Sequence, residues 1–271
     1  VWAKEPPANT GLVGHPRVIG LPHLGASTEE AQALTAADVA EGVVDALAAR
    51  TPRYAVNAPF VAPEEWKVVA PYVQLGTILA KLSRQLLDEP ARSYEIIYGG
   101  ELAGRTTEPI RLAILAGLLE GTSEARITPV NAALLARERG ITIRERHQPE
   151  ADQYASVLEL CVTSADGAEH TFGGTTVQDE PHIVQVDSYR LDVVPSQAML
   201  ITFHRDRPGL IGLVGTLLGQ ADVNISSMHV GRLSPRGEAM MVLTVDEPVP
   251  ADSVAQIEAQ TNIRRAYSVQ L

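Results

Sequence analysis

Five side chains in this sequence have the types and spacing for chemistry. Glu5 stands in Lys4-Glu5-Pro6-Pro7, and His23 follows eighteen positions later, just ahead of Ser27-Thr28-Glu29-Glu30. An imidazole titrates near neutrality, so it can move a proton. The other three are His204, Asp206 and Asn224, which bracket Pro208-Gly209. A carboxylate accepts hydrogen bonds from cations, and an amide offers both a donor and an acceptor. Each residue also has a plainer reading. His23 can satisfy backbone groups near a helix start, and Glu5 can be a solvated loop carboxylate. Asp206 can cap a helix, Asn224 can occupy a turn, and His204 can end a strand.

The elements that must carry these groups follow from hydrophobic spacing. Residues 200–203 are short, apolar and β-branched or aromatic, as strands are. Pro208 reads as the first residue of a helix, where its missing N–H costs nothing. Leu210, Leu213, Val214, Leu217 and Leu218 give that helix one apolar face, and Gly219 stops it. A strand over 223–230, a turn at Ser234-Pro235-Arg236-Gly237, a strand over 238–245, a short helix over 248–260 and a last strand over 263–271 complete a βαββαβ order.

Upstream, 18–21 reads as a buried strand. Ser27 and Glu30 read as a capping box for a helix running to about residue 49. Ala33, Ala36, Ala40, Val43 and Leu47 form its stripe of mostly small residues, with no obvious partner helix in the sequence. Between 59 and 197 the pattern predicts a helix from Pro63, broken or restarted at Pro71, with a stripe of Leu75, Ile78, Leu79, Leu82 and Leu86. A strand over 94–98 follows, then a helix apolar on most sides from Pro109 to Gly121, and a third helix capped by Thr128 and ended by Gly140. Strands over 141–145, 156–163, 170–177, 181–186 and 189–194 come next, with Asp166-Gly167 as a hairpin signal. This segment reads as an independent α+β domain with its own core.

The bulk properties exclude several classes. A length of 271 residues predicts two or three domains. The net charge is −11 with no basic run of five, which argues against nucleic acid and anionic membranes as partners. One cysteine, Cys161, rules out an internal disulfide and a cysteine-held iron–sulfur cluster, and it favours a reducing, cytoplasmic setting. No metal site is expected. No G-x-G-x-x-G follows a strand, so a dinucleotide cradle is not expected within these residues.

The string H-x-D-R-P-G followed by V-N-I resembles the ACT family of amino-acid-sensing domains over about the last 74 residues. The resemblance implies an amino-acid effector, often serine in dehydrogenase members, at His204, Asp206 and Asn224. Asp206 suits its ammonium, and the free N–H groups at the helix start suit its carboxylate. The strings K-E-P-P and P-H-L-G-A-S-T-E-E-A-Q resemble the D-2-hydroxyacid dehydrogenase family, and within it the D-3-phosphoglycerate dehydrogenases. That implies His23 as acid/base for the substrate hydroxyl, Glu5 as the carboxylate that holds it, and Gly25 and Ser27 near the nicotinamide of NAD. V-N-A-A-L-L-A-R-E-R-G-I and Y-R-L-D-V-V-P resemble the intervening domain of the long form. In some members that domain is implied to bind an anion. Arg105, Arg111, Arg126 and Arg190 are the basic candidates, each read first as a solvated surface group.

The sequence therefore predicts an α+β chain in three parts. Residues 1–58 end an α/β catalytic region, 59–197 form an intervening domain, and 198–271 form a ferredoxin-like ACT domain. The implied parent oxidises 3-phosphoglycerate with NAD in serine biosynthesis. It is expected to be a homodimer or tetramer fed back by L-serine, with its dinucleotide-binding region upstream of Val1 and this portion inactive alone. The competing reading is a stand-alone amino-acid-binding regulatory protein without catalysis. A third, a regulatory subunit of acetohydroxy-acid synthase, gives no account of residues 1–56.

Overall fold

The computed structural model describes residues 11–21, 23–47, 52–56, 61–121, 127–151 and 153–271. These fall into two compact units, Val1–Phe60 and Val61–Leu271.

In the first unit the one helix among the described residues is α1, Glu29–Leu47. Its cap is Thr28 rather than Ser27: the Thr28 hydroxyl accepts from Ala31 N at 3.2 Å. Three consecutive candidates, Ser27-Thr28-Glu29, made the sequence register ambiguous by one residue. No residue of α1 is buried, and Leu34, Val39, Val43, Val44 and Leu47 are all exposed. The expected strand at 18–21 does not form, and Ile19 is 91 % exposed. A short apolar run becomes a strand only when a neighbouring strand takes up its backbone groups.

The second unit begins with α2, Pro63–Leu86, continuous through Pro71. A proline inside a helix costs roughly 3 kcal/mol. Burial of Val69, Tyr72, Leu75, Ile78, Leu79, Leu82 and Leu86 on one face outweighs it, since each buried side chain contributes about 1.5–3 kcal/mol. Next come β1, Ala91–Gly100; α3, Glu108–Leu119; and α4, Pro129–Glu138. Thr128 caps α4 in a reciprocal capping box with Asn131. Strands β2, Ile143–Gln148; β3, Ser156–Ser164; β4, Glu169–Val177; β5, Glu180–Val186; and β6, Tyr189–Val193 follow.

These strands form a six-stranded sheet in the order β2-β1-β3-β4-β5-β6, with only β1 and β2 parallel. Helix α2 lies on one face, and it comes so close that a Cβ on Gly174 would sit 2.5 Å from Leu75 Cδ1. Tyr98, a core residue, donates to Glu145 Oε2 at 2.9 Å, and burial pushes its phenol well above the usual tyrosine range.

The rest is β7, Ala198–Arg205; α5, Leu210–Gln220; β8, Ile225–Arg232; β9, Glu238–Val245; α6, Ala251–Glu258; and β10, Ile263–Gln270. The four strands order as β10-β7-β9-β8, all antiparallel, which is the ferredoxin-like arrangement. Pro208 does not start α5. It lies before the N-cap, Gly209, whose φ of 90° suits glycine, and the helix proper starts at Leu210.

Strand β7 is apolar on both sides. Leu200 packs with Leu210, Val214 and Leu218 under the two helices. Met199 and Ile201 point the other way, with Met240, Val242 and Val269, into the same cluster as Leu75, Tyr98, Leu158 and Phe172. The expected independent core for the middle segment is therefore corrected: one core runs from α2 and the six-stranded sheet into the far face of the four-stranded sheet. The Gln85 side chain seals the junction, donating to Gln270 O at 2.8 Å and accepting from Gln270 N at 3.0 Å. It serves as a rung on the β10 edge.

Candidate functional site

The loop after β7 and the β8–β9 hairpin form one end of the four-stranded sheet. Asp206 N donates to Gly237 O at 2.8 Å. The Asp206 Oδ2 atom accepts from Arg236 N at 3.3 Å and Arg232 Nη1 at 3.4 Å. Arg236 adopts a φ of 58°, which turns its amide toward the carboxylate. Asp206 thus braces the hairpin, and α5 has no side-chain cap. Two of the three groups around Asp206, Arg232 and Arg236, were not picked out as site residues by sequence. Ser234-Pro235-Arg236-Gly237 carried only a turn signal.

His204 lies one turn of the pleat back, on the helix-facing side, and is 2 % exposed. Its Nδ1 is 3.1 Å from Thr202 Oγ1. Burial holds its pKa below the ordinary histidine value, against upward pulls from Thr202, Asp206 and Glu238. The imidazole is therefore neutral near pH 7.

Asn224 sits at the other end of the sheet. Its Nδ2 donates to Asp246 Oδ2 at 2.7 Å, and its carbonyl accepts from Asp246 N at 3.1 Å. The unusual backbone angle at this turn belongs to Asp222, with φ 57°. The register pairs Arg205 with Glu238 and Ala198 with Val245. One step beyond those pairs, Asp206 lies level with Gly237 and Asn224 with Asp246, so the two are about nine residues apart along the sheet, roughly 30 Å at ~3.3 Å per residue. One chain brings His204 and Asp206 together and leaves Asn224 distant.

In the first unit, His23 lies exposed in the loop before α1. Gly25 and Ala26 form a turn there, Ala26 with φ 58°, and Ser27 N donates to Leu24 O at 3.2 Å. Glu5, its expected partner, lies outside the described residues. The loop offers an exposed imidazole at a helix start.

Of the basic candidates in the middle segment, Arg126 lies outside the described residues. Arg111 is engaged with Glu108, its Nε donating to Oε2 at 2.8 Å, and lies 3.5 Å from Glu145. It is part of an internal network and not a solvated surface group. Arg105 follows the short 3₁₀ turn Glu101–Gly104, and Arg190 donates to Gln153 Oε1. Arg105 thus follows β1 and Arg190 lies on β6, strands that are not neighbours in the sheet. Among the described residues no cluster of His, Cys, Asp and Glu is placed to hold a metal ion, and no helix is long and apolar enough to cross a membrane.

Comparison with known proteins agrees with this architecture. Residues 68–187 match the D-3-phosphoglycerate dehydrogenase intervening domain, and 198–262 match the ACT domain. A D-3-phosphoglycerate dehydrogenase of Synechocystis is 39 % identical over all of this chain and 49 % of its own length. Enzymes of the same name from Methanocaldococcus jannaschii and Bacillus subtilis are 36 % and 34 % identical, each with 51 % of its length covered. The chain spans about half the length of these relatives. By these matches the second unit is similar to a D-3-phosphoglycerate dehydrogenase intervening domain followed by an ACT domain.

Proposed function

We propose that this chain is the C-terminal portion of an NAD-dependent D-3-phosphoglycerate dehydrogenase and carries its serine-feedback module. The carrying observation is that every residue of the chain aligns with enzymes of that name at 39 % and 36 % identity while covering about half of them. NAD would be held mainly by the half of those enzymes that the chain does not match, and when bound it would take the hydride. His23 would take the proton of the 3-phosphoglycerate hydroxyl, and Glu5 would fix its tautomer. Gly25 and Ser27 would border the nicotinamide. The bare stripe of α1 suits a helix that packs against such a region. In the full-length protein His23→Ala is expected to lower turnover by on the order of 10²–10⁴-fold with NAD binding retained. Full turnover would refute the acid/base role.

The ACT domain would take L-serine between two copies. Gln85 closes the β10 edge, whereas Ser226, Ser227 and Met228 of β8 are exposed at the opposite edge. Antiparallel pairing of β8 with its symmetry mate places the start of one strand beside the end of the other. Asn224 of one copy then meets the Asp206 end of the second, completing a site that neither copy holds alone. Serine would bias the assembly only by binding one arrangement better than another. Calorimetry with L-serine should show binding that Asp206→Ala and Asn224→Ala each abolish. No response at millimolar serine would sink the sensor reading.

A further inference from the structure

We propose that strand β6 positions the amino-acid site: by way of Gly231 and Arg232 it holds the Asp206 carboxylate in place, a role that rests on the reading of Asp206 as the effector contact.

Strand β6 is an edge of the six-stranded sheet, and it packs against β8 and β9 of the four-stranded sheet. The contact falls on one transverse row. Gly231 of β8 pairs with Met240 of β9, and Met240 pairs with Phe203 of β7. Residues directly paired across strands share a face. Met240 is fully buried in the core that runs across both sheets, so this row faces away from α5. Strand β6 spans the row. The Tyr189 ring meets Phe203 edge-on, with centroids 5.9 Å apart. At Gly231 the backbone itself is the contact surface. A Cβ there would sit 2.6 Å from Arg190 O and 3.0 Å from Leu191 Cδ2. Only glycine lets the two strands approach this closely. Gly231 and Leu191 are both buried.

The row lies next to the site. Gly231 precedes Arg232, whose Nη1 is 3.4 Å from Asp206 Oδ2, and Phe203 precedes the buried His204. The Arg232 side chain is exposed, and an exposed ion pair contributes little energy on its own. Arg232 therefore orients Asp206 more than it stabilises it, and orientation depends on where its backbone is fixed. Gly231, seated on β6, fixes that backbone. The chain of contacts is Leu191, Gly231, Arg232, Asp206. Asn224 lies at the other end of the same sheet, away from these contacts. Coupling between two positions is reciprocal, so an occupant at Asp206 would in turn steady β6 and, through it, the six-stranded sheet.

The test compares three variants of the whole chain. Leu191→Ala removes the side chain packed at Gly231, Leu191→Met keeps its volume, and Gly231→Ala inserts a methyl against Arg190 O. In calorimetry with L-serine, Leu191→Ala and Gly231→Ala should each weaken affinity by about tenfold, as loss of one charged hydrogen bond does, with the number of sites unchanged. Leu191→Met should bind as wild type. Amide hydrogen exchange without ligand separates positioning from general loosening. In Leu191→Ala, Asp206 N and Arg236 N, which hold the site loop, should exchange faster. Asp246 N, which donates to Asn224 O at the other end of the sheet, should keep its wild-type rate. In the wild-type chain, serine should slow exchange over 189–193, although no residue there meets the effector. Equal acceleration at both ends of the sheet, or none at either, overturns the proposal. So does wild-type serine affinity in both Leu191→Ala and Gly231→Ala, and so does serine that binds without slowing 189–193. A wild-type chain that ignores millimolar serine sinks the serine reading alone, and the exchange comparison still decides whether β6 holds Asp206.

Discussion

At 2 % exposure, His204 meets no ligand from solvent unless the loop above it opens. Its contribution is to the floor beneath Asp206, and its protonation is coupled to folding. Burial lowers its folded pKa, so between the folded and unfolded values the unfolded chain binds more protons. Stability should therefore fall as pH drops below the unfolded histidine value of about 6.5 and be restored as pH rises. Urea titrations across that range should show a smaller loss in His204→Asn than in wild type, and equal slopes would contradict the assignment. Asp206 argues differently. Its carboxylate braces the hairpin through Arg236 N and Arg232, so Asp206→Ala should cost about 1 kcal/mol of stability besides any effect on serine. Residue type and spacing flagged both positions, yet neither burial nor bracing could be read from them. The imidazole's side depends on sheet register, and the brace depends on a left-handed residue thirty positions on.

Elements were legible where local rules were strong and unopposed. The alternation in 156–193, punctuated by Asp166-Gly167, located β3 to β6 within about a residue, and Thr128-Pro129 located the start of α4. Thr128→Ala should cost about 1 kcal/mol in chemical denaturation, since it removes the acceptor for Asn131 N. Legibility failed where a local rule was outweighed by packing. Pro71 signalled a break, but the buried stripe on both sides of it holds α2 in one piece. It failed also at 18–21, where a short apolar run satisfies the strand pattern and has no neighbouring strand among the described residues. The most consequential element is the end of α2. Gln85 mimics a strand on the β10 edge and Asp88 accepts from Tyr267 at 3.3 Å, so this helix decides which edge of the ACT sheet stays open. Gln85→Ala should cost about 1–2 kcal/mol for two lost bonds, measured by urea denaturation. It should also expose a second edge, detectable as concentration-dependent aggregation.

For the molecule as a whole, the shared core joins the intervening and ACT domains mechanically. A strand apolar on both faces, such as β7, tells a reader that both faces are covered and not by what, so the sequence did not show that one buried cluster runs across both sheets. Sharing predicts that residues 61–271 unfold as a single unit: tyrosine fluorescence and far-ultraviolet circular dichroism should give one coincident urea transition. Two separated transitions would mean that Met199, Ile201, Met240 and Val242 do not couple the sheets. The same geometry makes the proposed serine site a property of pairs. Asp206 and Asn224 lie at opposite ends of one sheet, so two inactive variants should complement each other. In a mixed dimer of Asp206→Ala with Asn224→Ala, one of the two composite sites unites an intact Asp206 with an intact Asn224, and the other lacks both. Random reassortment of equal amounts should then restore about a quarter of the serine sites, although neither variant alone binds. Calorimetric stoichiometry before and after mixing measures this directly. A mixture that stays silent while forming dimers would show that the site does not cross the interface, and binding by either variant alone would show that the substituted residue is not part of the site.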